Sequence, residues 1–506
     1  MKLGIIKDRL LNRKYLIITY LLICLFMIAG ITSVGKLQYP RIETILILVV
    51  VIFGIGIILF YSNKDNLHNF AFVIVIFFGL INVFVTPICD VPDEVTHFRR
   101  AEITSRGSLF PQIGEMESYK TIKSVDNIRS NDTEFTILQA IKNGYSIDYQ
   151  EISVTNIAGN NFFIGYIPQA IGINIAKLFN MPQIWMLILG RIMNLLMVAI
   201  VVRKAIKIVD SYKMPVFIIS CLPMTVYLSS SMSIDATINA FSVLVISYFI
   251  KLYESSERIT LKEVIIYFLL CLVVGLSKIT YMAFAALLFF LPIRKYKNNK
   301  VYGLTIGGII LMAMIALGWY YIVSSNALPA ADQTSYLIEN NVNLEQQIKN
   351  IIQNPIQTIQ IIIKELAING QFVFNGLFTF GPLTYGNAFL STLFILLYGG
   401  LLFLYPLGIE YPIKMKAGAG IVSGLVFCAT ELIMYLTWTG VGALGIAGVQ
   451  ARYLIPLLAL MPILCNVNNS SYDFESISKI DLFFILGVLV LLIGVIVLTL
   501  NQYYLH

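Results

Sequence analysis

Apolar runs of about 20 residues recur from one end of this 506-residue chain to the other, each long enough to carry a helix across a hydrocarbon layer roughly 30 Å thick. In lipid the backbone must satisfy its own hydrogen bonds, which leaves helices or closed barrels. Barrel strands alternate in segments of about ten residues, whereas these runs are continuously apolar and predict helices. Only 12% of the residues are charged, against roughly one-quarter in a soluble domain, so a soluble globular enzyme is excluded. The net charge of +7 is dispersed among short loops and builds no single basic face, so no nucleic-acid partner is expected.

Spans are expected near 15–34, 42–61, 70–88, 181–201, 214–232, 236–253, 263–292, 301–323, 387–408, 417–438, 451–466 and 480–501. The run 263–292 is too long for one crossing and is interrupted at Ser277-Lys278, so it reads as two short helices folded back on each other. The fold class is therefore an all-α polytopic membrane protein with about 12–14 transmembrane helices. The first run follows basic residues as a signal peptide would, but it is long and lacks a small-residue cleavage site, so it reads as a retained span. Of the six cysteines, Cys89 alone lies near a membrane boundary, and no disulfide framework or CxxC zinc pattern follows.

With a cytoplasmic amino terminus, the inner loops collect Lys2, Lys7, Arg9, Arg13 and Lys14, then Arg203, Lys204, Lys207 and Lys213, then Arg294, Lys295, Lys297 and Lys300. The positive-inside bias then assigns the long polar segments 89–161 and 324–386 to the outside. Within them, 343–368 has apolar residues at helical spacing interrupted by Pro355, as expected of a broken amphipathic helix on the membrane surface, and 162–179 looks similar. No internal repeat is evident.

The densest polar constellation follows the third span: Cys89-Asp90-Val91-Pro92-Asp93-Glu94-Val95-Thr96-His97-Phe98-Arg99-Arg100. Pro92 at a first helical position and carboxylates at the positive end of the dipole predict that a helix begins here. Asp93, His97 and Arg100 would then share a face. Two readings remain open: the carboxylates merely cap a helix while the arginines meet lipid headgroups, or charge at the mouth of a helix bundle, where burial is costly, serves a site. Asp235, Lys278, Arg191 and Arg452 lie in or at the ends of later spans. Each can cap, snorkel or pair structurally; together, cations facing an acidic outer loop would make a pocket for a lipid phosphate or pyrophosphate.

The segments VPDEVTHFRRA (91–101), IGYIPQAIGI (164–173), LGRIMNLL (189–196), LPMTVYLSSSMSIDAT (222–237), GLSKITY (275–281) and GVQARYLIPLLAL (448–460) resemble the blocks of a bacterial polytopic family catalogued as domain of unknown function 2142. That family is similar to glycosyltransferases of the GT-C fold. The resemblance implies a GT-C-like bundle over 70–506, preceded by a two-span region at 1–69, in the bacterial plasma membrane. It further implies an enzyme that takes sugar from a polyprenyl-phosphate carrier on the extracytoplasmic side, with its catalytic carboxylate in the first large outer loop, where Asp93 stands.

On this expectation Asp93 is the general base that deprotonates the acceptor hydroxyl, with Glu94 and His97 as its catalytic companions. Arg100, Asp235, Lys278, Tyr281, Arg452 and Tyr453 form the substrate- and phosphate-binding set. No cofactor is required, although magnesium or manganese held by Asp90, Asp93, Glu94 and His97 is an open alternative. Tyr385, Trp438 and the aromatics of 372–386 either contact a sugar face or anchor the interface. The partners expected are a polyprenyl-phosphate-linked sugar, a glycan or glycolipid acceptor of the cell envelope, and the bilayer. The competing functions are a flippase for lipid-linked saccharides and a non-catalytic envelope-assembly scaffold.

Overall fold

A computed structural model describes residues 9–32, 41–110, 119–130, 136–154, 161–326, 336–467 and 474–504. Parts of both outer segments (111–118, 131–135, 155–160 and 327–335) and the end of the first expected span lie outside the described residues.

The chain is helical almost throughout. Helices α1 (Lys14–Thr32), α2 (Arg41–Phe60) and α3 (Leu67–Val85) lead to α4 (Glu94–Ser105), which carries the polar constellation. A small unit follows, in which β1 (Tyr119–Ile122) pairs antiparallel with β2 (Glu151–Val154) around α5 (Lys123–Ser130) and α6 (Ile137–Asn143). Next come α7 (Ile167–Leu178), α8 (Ile184–Lys207), α9 (Lys213–Ser220), α10 (Pro223–Ser229) and α11 (Asp235–Glu254). The second half comprises α12 (Leu261–Ser277), a 3-10 helix Ile279–Phe290, α13 (Asn299–Asn326), α14 (Leu344–Gln353), α15 (Pro355–Gly376), α16 (Ala388–Phe403) and α17 (Ile413–Thr437). After a 3-10 turn at Ala451–Leu454 and the short α18 (Ile455–Leu458) and α19 (Met461–Cys465), α20 (Phe474–Tyr503) closes the chain.

Among the described residues, eight helices are long and apolar enough to cross a membrane: α1, α2, α3, α8, α11, α13, α17 and α20. This falls short of the 12–14 expected: the expected span 387–408 is the 16-residue α16, and the runs 214–232 and 451–466 are not continuous crossings. Proline is the reason in those two runs. Pro223 has no N–H to give the carbonyl of Ile219, so the run breaks into α9 and α10, and the Thr225 hydroxyl takes that carbonyl at 3.0 Å instead. Pro456 and Pro462 divide the later run in the same way. The run 263–292 is interrupted where its polar pair lies, with Lys278 extended between α12 and a twelve-residue 3-10 helix; such long 3-10 runs are uncommon.

Helix α8 is central, packed on α3, α7 and α11. Gly172 permits the closest of these approaches, because a side chain there would collide with the backbone of Leu189 and Gly190. Segment 162–179 thus docks its small-residue face on the bundle, leaving Ile167, Ile171, Leu178 and Phe179 exposed on the other. Helices α14 and α15 are broken at Pro355, as expected; Ile348, Ile352, Ile356, Ile359, Ile363 and Leu366 are exposed, whereas Ile361 is buried against the bundle. Polar groups face the protein: Gln347 donates to the Tyr435 carbonyl at 3.2 Å and Glu365 accepts from the Ile446 amide at 3.2 Å. The exposed face mixes those apolar side chains with Glu345, Gln346, Lys349, Gln353 and Lys364, the composition of a helix pair at a membrane–water interface.

Candidate functional site

Helix α4 starts at Glu94, two residues later than the sequence predicts. Pro92 and Asp93 are instead the central residues of a tight turn, closed by the Glu94 amide donating to the Val91 carbonyl at 3.0 Å. Asp93 has φ 60° and ψ 13°, the left-handed conformation that the third position of a type II turn demands and that Asp tolerates better than most residues. Its side chain makes no capping hydrogen bond to α4, so the helix-cap reading does not hold for Asp93. The turn points the carboxylate away from the helix, where it is 56% exposed.

It meets Arg452. The guanidinium donates to Asp93 Oδ2 at 2.5 Å, and its Nε lies 3.1 Å from Asp235 Oδ2. The arginine side chain is 3% exposed, so one buried cation bridges a carboxylate at the rim and another at the start of α11. Lys278, at the break after α12, places its ammonium 3.2 Å from the ring centre of Tyr453, a cation–π contact. These groups line a cavity of about 320 Å³ together with Asn161, His97 and residues of α17. Ile234, Ile238, Ile433 and Met434 make its apolar walls, and Trp438 closes one side. The cavity therefore combines one charged end with an apolar flank.

His97 also lines the cavity, through a network the sequence does not disclose. Its Nδ1 lies 2.8 Å from the Tyr166 hydroxyl, which accepts from Asn161 Nδ2 at 3.0 Å. With Asn161 supplying that proton, the phenol's own hydrogen is free for Nδ1, which leaves the imidazole hydrogen on Nε2; this tautomer is assigned from the hydrogen-bond network. Burial holds His97 below its ordinary pKa, partly offset by the Asp93 and Asp235 carboxylates, so the ring is neutral at pH 7.

Other expected members are elsewhere. Glu94 is turned into the bundle, where Arg191 binds it in a two-pronged pair, Nε to Oε1 at 2.8 Å and Nη2 to Oε2 at 2.6 Å. Both side chains are fully buried. Arg191 also donates to the carbonyls of Val83, Thr86 and Pro87, and the Met232 amide donates to Glu94 at 3.1 Å. The pair ties α3, α4, α8 and the turn before α11 together, and Arg191 thus takes its structural reading. Arg100 is fully buried and donates to Thr104 and to the carbonyls of Ser108, Leu109 and Asn161. It is not among the cavity-lining residues; it holds the segment after α4 against Asn161. Tyr281 donates to the backbone carbonyl of Tyr453, fixing the segment that presents Arg452.

The four residues weighed as metal ligands do not converge. Glu94 is engaged as described, and Asp90 accepts from Tyr503 at 2.6 Å and from Tyr227 at 3.3 Å. Among the described residues no three His, Cys, Asp or Glu side chains are grouped to hold a metal. Asp90, whose carboxyl burial pushes upward from its ordinary pKa, instead fastens the loop to the C-terminal end of α20.

Of the aromatics considered for sugar contact, Trp438 lines the cavity. Tyr385 faces Thr499 and Tyr503, and Phe378 and Phe380 pack inside against Phe394 and Tyr227; the side chains of 372 and 373 lie outside the described residues. The contributions of Asn161, Tyr166 and the α17 wall were not foreseen. Tyr166 lies in the block IGYIPQAIGI, which carries a signal but no role; Thr430, Ile433 and Met434 read as ordinary span residues.

A family model described as "Predicted membrane protein (DUF2142)" matches residues 76–461. No curated protein and no solved structure matches the chain. The matched stretch begins within α3 and ends at the start of α19, so it contains every residue of the cavity and leaves α1, α2 and α20 as flanking helices.

Proposed function

The chain belongs to that family of predicted membrane proteins, and from its cavity we propose that it is a GT-C-like glycosyltransferase, moving a sugar from a polyprenyl-phosphate donor to a cell-envelope glycan or glycolipid acceptor on the extracytoplasmic face of a bacterial plasma membrane. The observation that carries this reading is the exposed Asp93 carboxylate at the rim of a cavity that holds buried Arg452 and half-buried Lys278 beside an apolar wall. A lipid-linked sugar phosphate has the matching character: an anionic centre between an apolar tail and a polar sugar.

In the reaction, an acceptor hydroxyl attacks the anomeric carbon while Asp93 Oδ takes its proton. The anomeric carbon–oxygen bond to phosphate breaks on the opposite face, and the phosphate leaves with the bonding electrons. Arg452 and Lys278 stabilise the charge that grows on the leaving group. Arg452 is suited to this because it already serves two carboxylates: donor phosphate draws the guanidinium toward itself and frees Asp93 for the acceptor. Neutral His97 presents its remaining hydrogen within the same cavity, and Trp438 offers a flat surface for a sugar ring. Glu94 and Arg100 act through the scaffold, and no cofactor takes part.

The test is transfer in proteoliposomes supplied with polyprenyl-phosphate sugars. Asp93→Asn inserts and folds as wild type but forms no new glycosidic bond. Undiminished turnover removes Asp93 as base, and movement of intact lipid-linked sugar between leaflets without bond formation replaces the transferase by a transporter.

A further inference from the structure

Sharing no lining residue with this cavity, and independent of its function, a second concavity of about 430 Å³ lies between α2 and α3. Phe53, Gly56 and Phe60 of α2 and Asn69, Phe70 and Val73 of α3 line it, apolar but for Asn69. A Cβ added at Gly56 would meet nothing within 4 Å, so the groove is open where that glycine stands. Phe53 stacks on Phe77 of α3 with ring centres 3.7 Å apart, which fixes one wall.

The end of the groove at Asn69 is rimmed by cations. Arg203 donates to Asn69 Oδ1 at 3.0 Å, and its guanidinium lies 5.9 Å from the Phe72 ring. The charges of Arg203, Lys207 and Lys213 act together on His68, the neighbour of Asn69. Arg203, Lys204 and Lys207 are exposed. Asp65 opposes them but is paired with Lys213 at 3.5 Å. The rim is basic, and it belongs to the face that the positive-inside bias assigns to the cytoplasm.

An apolar slot of this width with a basic rim at one end matches one ligand chemistry. We propose that this groove binds a phospholipid with an anionic headgroup, one acyl chain lying along Gly56 and Phe53 and the phosphate resting on Arg203 and Lys207. A zwitterionic lipid would fill the slot equally well but would gain less at the rim, so selectivity resides in the cations and affinity in the slot.

The experiment is native mass spectrometry of the delipidated full-length protein, titrated with phosphatidylglycerol or phosphatidylcholine of identical acyl chains. Wild type binds one phosphatidylglycerol at least tenfold more tightly than phosphatidylcholine. Gly56→Phe fills the slot and weakens both lipids at least tenfold. The double variant Arg203→Gln/Lys207→Gln, which leaves the slot untouched, brings phosphatidylglycerol down to the phosphatidylcholine level. Equal binding of the two lipids by wild type overturns the proposal, as does selectivity that survives the double variant. A dimer that forms in wild type and vanishes in Gly56→Phe also overturns it, since the occupant is then a second copy of the chain.

Discussion

The Asp93 carboxylate and the Arg452 guanidinium meet at 2.5 Å although 359 positions separate them in the chain. One partner is more than half exposed and the other nearly wholly buried. The pair therefore joins the turn before α4 to the interior of the cavity, and it is the contact on which substrate binding would act first.

Lysine at position 452 keeps the charge but lacks the planar fork that reaches two carboxylates at once. Arg452→Lys is expected to lower kcat for glycosyl transfer by about 10²–10³-fold, the usual cost of losing one positioned donor to a developing anion. Wild-type turnover would show that Arg452 only braces the loop.

The Glu94–Arg191 pair predicts a loss of stability. Removing one partner of a fully buried ion pair leaves the other charge uncompensated, at a cost of about 3–5 kcal/mol. Glu94→Gln should lower the unfolding free energy in mixed micelles by that amount. Adding Arg191→Met should cost less than the sum of the two single changes, yet not restore wild type, because the carbonyls of Val83, Thr86 and Pro87 lose their donor. Strict additivity would show that the two side chains do not act as a pair.

His97 sets a pH dependence. Its native pKa lies below the unfolded value of about 6.5, so between the two values the unfolded chain holds a proton that the native chain lacks. Stability then rises with pH in that window: the contribution of His97 is fully present above about pH 6.5 and declines as the solution is acidified. The difference in apparent Tm between wild type and His97→Gln should narrow from pH 7.5 to 5. A constant difference would place the imidazole in water.

Because Arg452 already bridges Asp93 and Asp235, and Glu94 and Asp90 are engaged by Arg191, Tyr227 and Tyr503, transfer should proceed unchanged after chelation with EDTA. Loss of activity on chelation and recovery with manganese would put a metal where Arg452 and Lys278 are proposed to act.

The membrane class and most of the long helices were legible in the sequence because the hydrocarbon layer imposes a strong local rule: a span must be apolar over about 20 residues wherever it lies in the chain. The broken run at Ser277-Lys278 was legible for the same reason, since a charged residue interrupts the rule at a definite position. The exchange of crossings for broken helices at Pro223, Pro456 and Pro462 was less so, because composition there remains apolar and only the missing N–H reveals the break.

The polar cluster after α3 was found as a cluster, but its division of labour was not. Asp93 and Glu94 are adjacent and chemically alike, and sequence offers no ground for giving them different roles. Local backbone geometry separates them: a left-handed turn at Asp93 directs one carboxylate outward, and the start of α4 directs the next inward to Arg191. The sequence by itself determined that charges would gather at the mouth of a helical bundle, because hydropathy and spacing are local properties. Which charge is spent on the scaffold and which is left facing a cavity only the tertiary structure decided, because the partners Arg191, Arg452 and Tyr166 arrive from helices far along the chain, and pairing energy depends on distance in space.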